Sequence, residues 1–152
     1  MSADSKATDA LRTWFRLLRL ETSIRTAMGE RLKQLDVSVP QLDVLTTLTE
    51  QEGMTQQELA ARLYVTKGNI SGLLDRMVAT GLVERRSIAS DRRSYAVHLT
   101  DAGRALSGNG MAIESQFVQD TIGRLTLAQL SQFEALIIET RDYVREMGGK
   151  AK

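Results

Sequence analysis

Two short helical stretches separated by a tight turn, with a basic hairpin directly after them, constrain this chain more than any other feature. The first stretch opens on Thr55-Gln-Gln-Glu58 and runs to Leu63; the second runs from about Lys67 to Thr80 and stops at Gly81. A hydroxyl followed three residues later by a carboxylate or amide marks a helix start, because both side chains satisfy N–H groups that the first turn leaves open. Gly81 supplies the left-handed residue that commonly ends a helix. Beyond it, Leu82–Arg86 and Ser94–Leu99 read as strands, the second alternating Tyr95, Val97 and Leu99 against Ser94, Ala96 and His98. Helix, turn, helix and hairpin in that order is the layout of a winged helix-turn-helix.

The flanks are helical. Ser38-x-x-Gln41 and Thr126-x-x-Gln129 repeat the start signature, and Pro40 fits a first turn, where its missing N–H costs nothing. A first helix is expected from about Ala7 to Leu35, striped by Leu11, Trp14, Phe15, Leu18, Ile24, Met28, Leu32 and Leu35. A second covers roughly 39–51. Thr100-Asp101 caps another that reaches about Gly123, with a kink or break expected at Gly108-Asn109-Gly110. The last helix spans about Thr126–Met147. The expected fold is mainly α with a small β-hairpin wing, a single domain over 1–152. Residues 36–104 form the winged lobe, and 7–35 and 105–147 are dimerisation helices. So small a domain cannot by itself bury an apolar stripe nearly thirty residues long, so a homodimer is expected.

Net charge of +1 conceals an asymmetry. Residues 62–93 hold seven basic and three acidic side chains, +4 in that segment against −3 for the rest of the chain. A phosphate backbone needs such a footprint, so double-stranded DNA is the expected partner. In the second helix of the pair, Ile70, Leu73, Leu74 and Met77 fall on one face, leaving Gly68, Ser71, Gly72, Asp75 and Arg76 on the other. The first turns of such a helix read base edges. Lys67 suits a guanine edge or a phosphate, Asn69 an adenine, Ser71 either, and Thr66 a phosphate. On the hairpin, Arg85, Arg86, Arg92 and Arg93 cluster, and an Arg at its tip suits a narrow minor groove. Asp91 is expected to orient that Arg through a bidentate pair.

Other chemistry is poorly provided for. With no Cys and one His, the chain offers no thiol nucleophile or multi-His metal site, and no phosphate-cradling Gly-rich loop or zinc-protease motif occurs. No enzyme activity, cofactor or metal is expected. No segment approaches the roughly 18 apolar residues of a membrane span, so a cytoplasmic location without membrane contact is expected.

These residues resemble the MarR family of bacterial transcription regulators. The resemblance rests on Leu59-Ala60, Leu63, Leu74-Asp75-Arg76-Met77, Gly81-Leu-Val-Glu-Arg85, Asp91-Arg92-Arg93 and Leu99-Thr100-Asp101-Ala-Gly103, with Val39–Leu45 matching the family's second helix. It covers about residues 38–104. It departs at Ser87 and Ser90, where acidic residues are common, and at Gly68. It implies a homodimer whose terminal helices interlock, two winged lobes on a palindromic operator, and Arg93 as the minor-groove reader beside Asp91. It also implies a small effector, aromatic or carboxylate-bearing, between the dimerisation helices and the lobe. Trp14, Arg16, Arg19, Arg25 and Met28 offer an aromatic wall, cations and a pliable side chain for one, although an ordinary amphipathic helix has the same composition. The resulting expectation is a sequence-specific repressor released by a small molecule. A winged-helix protein–protein interaction module and a non-specific architectural DNA binder remain as alternatives.

Overall fold

Local capping chemistry sets most element boundaries. The computed structural model describes residues 3–149, without the side chains of residues 3, 4, 92 and 149. The helices are α1 (Ala3–Leu32), α2 (Val39–Glu50), α3 (Gln56–Arg62), α4 (Lys67–Ala79), α5 (Asp101–Asp120) and α6 (Leu127–Gly149). The strands are β1 (Met54–Thr55), β2 (Val83–Ile88) and β3 (Asp91–Leu99). All three expected capping boxes form: Ser38 with Gln41, Thr55 with Glu58, and Thr126 with Gln129. Gly81 takes the left-handed conformation at φ +72°, directly after the C-cap of α4.

The chain divides into two compact units within α5, after Glu114. In the first unit α1 packs on α2, α3 on α4, and both α2 and α4 on the strands. Leu32, Leu45, Leu48, Leu59, Ile70, Leu74, Met77, Val83 and Val97 are fully buried there. As expected, the apolar face of α4 points inward. The sheet has the order β1-β3-β2, entirely antiparallel, with Val83 opposite Leu99 and Met54 opposite Val97. β2 and β3 form the wing, and their register shifts at Ser87/Ile88.

Three details differ from the sequence reading. β1 was not anticipated: Met54 and Thr55 are too few to carry an alternation, and their strand exists through pairing with β3. The first helix tightens into a 3-10 turn at Lys33–Leu35 and ends at Asp36, whose φ is +51°. The third is that α5 runs unbroken through Gly108-Asn109-Gly110. A Cβ at Gly110 would lie 2.3 Å from the Leu42 Cδ1, so this glycine is where α5 closes against α2. Packing thereby offsets the helix cost that suggested a kink. Nearby, the buried Ser107 hydroxyl meets Thr49 Oγ1 at 2.8 Å.

The second unit holds the last turns of α5, a 3-10 turn at Ile122–Arg124, and α6. On α6, Leu127, Leu136, Ile137, Ile138, Tyr143, Val144 and Met147 stay exposed. On α1 of the first unit the same holds for Leu11, Trp14, Phe15, Leu17, Leu18, Leu20 and Ile24. Among the described residues, no helix is long and apolar enough to cross a membrane.

Candidate nucleic-acid interface

Thr66 fixes where α4 begins: its hydroxyl accepts the Asn69 N–H at 3.2 Å, which sets Lys67 and Asn69 on the exposed first turn. Ser71 is half-buried one turn on, and Arg76 is exposed near the helix end. No atom lies within 4 Å of a Cβ built at Gly68, so packing inside the chain does not require that glycine.

The wing returns toward this helix. Lys67, Arg85 and Arg93 line one cleft of about 270 Å³, together with Thr55, Gln56, Gln57, Ser94, Tyr95 and Val97. The cleft thus sets two cations without ion pairs among the described residues, Lys67 and Arg93, beside amide and hydroxyl groups, with Arg85 as its internally held wall. That donor set suits phosphate and sugar. The three cations are those expected from the sequence, whereas Gln56, Gln57, Ser94 and Tyr95 carry no local signal that places them here. The first two are the opening residues of α3, whose exposure to the wing depends on tertiary packing.

Ion pairing sorts the basic residues. Arg85 is held by Asp75 at 2.7 Å, Arg86 by Glu84, and Arg62 by Glu50 of α2. Among the described residues, Lys67, Arg76 and Arg93 enter no ion pair. The side chain of Arg92 lies outside the described residues. Asp91 does not hold a guanidinium among those residues: its carboxylate accepts the Arg93 N–H at 3.0 Å and the Ser94 hydroxyl at 2.7 Å. Those two bonds, the hydroxyl first, keep its carboxyl below the usual aspartate range and brace the hairpin turn beside Arg93.

Behind the wing, Glu52 ties three elements together. It accepts the Leu99 N–H at 3.0 Å and bonds Arg104 of α5 through both oxygens, with His98 Nδ1 at 4.0 Å. Desolvation pushes its carboxyl up, but the bonds from Arg104 and Leu99 outweigh that and hold it below the usual range. This anchors the root of β3 and with it the aim of the wing.

The residues expected to hold an effector separate along α1. Met28 is only 6% exposed and belongs to the core, whereas Trp14 is 53% exposed about 21 Å away along the helix axis. Arg16 and Arg19 are exposed. Arg25 pairs with Glu21 and lines an open groove of about 690 Å³ with Thr26, Lys33, Val37, Val39 and Pro40 among its walls.

A MarR-family model matches residues 35–94. The chain is 33% identical over 102 residues to the HTH-type transcriptional regulator TtmR of Methylorubrum extorquens, an alignment covering 67% of this chain and 50% of TtmR. It therefore spans about half of that relative's length. A Bacillus cereus HTH-type transcriptional regulator is 31% identical over 113 residues, 72% of this chain and 75% of its own. Among solved structures, an E. coli MarR variant complexed with operator DNA superposes with a TM-score of 0.79 at 27% identity, covering 87% of this chain and 96% of that one. These relatives are regulators rather than enzymes. With the winged lobe, the flanking helices and these matches in agreement, the chain belongs to the MarR family of transcription regulators.

Proposed function

We propose that the protein binds duplex DNA sequence-specifically as a homodimer, represses transcription from a palindromic operator, and is released by a small effector. The cleft in which Lys67 of α4 converges with Arg85 and Arg93 of the wing is the observation that carries this reading. α4 enters the major groove, with Lys67, Asn69 and Ser71 toward base edges and Thr66 toward a phosphate. Arg93, held at the hairpin tip by the Asp91 turn, follows the adjacent minor groove, and Arg76, Arg86 and Arg92 add positive charge along the backbone.

The uncovered apolar residues of α1 and, separately, of α6 support the dimer, because monomeric soluble proteins rarely leave so many large apolar side chains exposed. A two-fold dimer reads two half-sites about one helical turn apart. The open groove along the end of α1 supports a small effector through its apolar walls, Val37, Val39 and Pro40, since its cations Arg25 and Lys33 are already paired with Glu21 and Glu30. Such an effector releases DNA only by preferring a lobe arrangement that does not fit the operator. Nuclease footprinting on DNA upstream of the protein's own gene tests the reading. A protected site with two symmetric halves is expected, and protection of a single asymmetric half would contradict the dimeric mode.

A further inference from the structure

The turn between α3 and α4 contains a residue that does not suit its backbone. The Val65 N–H donates to the Ala60 carbonyl at 3.0 Å and the Tyr64 N–H to the Ala61 carbonyl at 3.4 Å. That pair of bonds is a Schellman end, and it puts Tyr64 at the position glycine usually takes. Its φ is +53°, a conformation in which the Cβ of an L residue is crowded. Only those two backbone bonds hold it there; among the described residues no side-chain hydrogen bond of Tyr64 adds to them. The Tyr64 side chain is 88% exposed, the most exposed large apolar or aromatic side chain among the described residues, and Val65 beside it is exposed as well. Strain that persists without an intramolecular contact points to a contact outside the molecule.

Its place in the chain identifies that contact. Tyr64 stands two residues before the Thr66 cap and three before Lys67, at the end of α4 that meets DNA in the reading above. The neighbouring cation, Lys67, has no ion pair among the described residues. We propose that Tyr64 is a DNA-backbone contact: its phenol O–H donates to a phosphate oxygen flanking the groove that α4 enters, and its ring lies against the adjoining deoxyribose. The left-handed turn holds the ring clear of the protein surface. The contact is neutral on the protein side and releases no counterion, so it adds affinity without steepening the salt dependence. It also carries no base information, so it strengthens operator and random DNA alike.

This proposal rests on the DNA-binding reading, and the experiment separates the two. The full-length wild type, Tyr64→Phe and Tyr64→Asn are titrated onto two duplexes, one from upstream of its own gene and one of random sequence, across a salt series, with thermal melting alongside. Asn tolerates the left-handed turn and keeps the fold, so Tyr64→Asn should melt no lower than the wild type. It should nonetheless lose roughly tenfold or more in affinity for both duplexes, because it gives up the ring contact with the sugar as well as a hydrogen bond to a charged oxygen. Tyr64→Phe, lacking only the hydroxyl, should lose a smaller factor, and the salt slope should stay constant throughout. Wild-type affinity in Tyr64→Asn overturns the proposal. A wild type that binds neither duplex removes the DNA-binding reading, and the proposal with it.

Discussion

Arg85 Nη2 donates to the Asp75 carboxylate at 2.7 Å and to the Gln56 side-chain oxygen at 3.4 Å, so one side chain links the wing to α4 and to α3. Only 27% of that side chain is exposed. A guanidinium held on two sides acts as a strut that fixes how far the wing stands from the helix. Arg85→Gln should therefore weaken operator binding more than binding to random DNA, with little change in the salt slope. Asp75→Asn should reproduce the loss, and a double-mutant cycle should show the two coupled by about 0.5 kcal/mol or more. Equal weakening on both DNAs with a shallower slope would instead make Arg85 a phosphate contact.

The cations without ion pairs should behave in the opposite way. Lys67→Ala and Arg93→Ala should each lower the log–log salt slope by about one unit, and Arg93→Ala should cost roughly 1–3 kcal/mol of operator affinity. Unchanged binding by Arg93→Ala, measured by anisotropy at fixed salt, would remove the wing from the interface.

Leu136 on α6 is 54% exposed in the single chain. At an exposed monomer position Leu136→Glu should change stability by no more than about 0.5 kcal/mol. In a helical dimer interface it buries a charge without a partner. Analytical ultracentrifugation of Leu136→Glu should then show a monomer–dimer equilibrium shifted toward monomer, with operator affinity falling in step. Removing the chain from Thr126 onward should abolish the dimer. A variant that remains a dimer at low concentration would place the interface elsewhere.

Burial raises the Asp43 carboxyl above the ordinary aspartate value of 3.8, against the opposing pull of Arg25. Burial, and then the charge of Asp43, raise Glu114 of α5 as well. An acid whose folded value is raised favours the folded state below its unfolded value. That contribution is lost as pH climbs through the folded value. Near neutrality the ionised Asp43 is thus a burden, which Asp43→Asn relieves for both groups. The substitution should raise Tm at pH 7 and give no gain near pH 3; an equal shift at both would contradict the assignment.

The features legible in the sequence were those that neighbours within four residues decide. Ser38, Thr55 and Thr126 cap helices through partners three positions away, and the inward face of α4 follows from Ile70, Leu73, Leu74 and Met77 alone. Features set by distant pairing were missed or misread. β1 depends on Val97 and Ala96 of β3, and the straightness of α5 depends on Leu42, which lies 68 residues before Gly110. The basic cluster could be read from composition, but its division into paired and free cations could not. Asp75 stands ten residues from Arg85 and Gln56 twenty-nine. Tyr64 escaped notice because no glycine announced a left-handed turn.

Salt-dependent anisotropy against DNA from upstream of the protein's own gene, with unrelated duplex as competitor, decides whether the winged lobe recognises sequence. A sequence-specific regulator should bind tightly, resist the competitor, and show a log–log salt slope of several units. Binding lost equally to any competitor would contradict sequence-specific recognition and leave an architectural DNA binder, and no binding at any salt would contradict a DNA-binding role for the lobe.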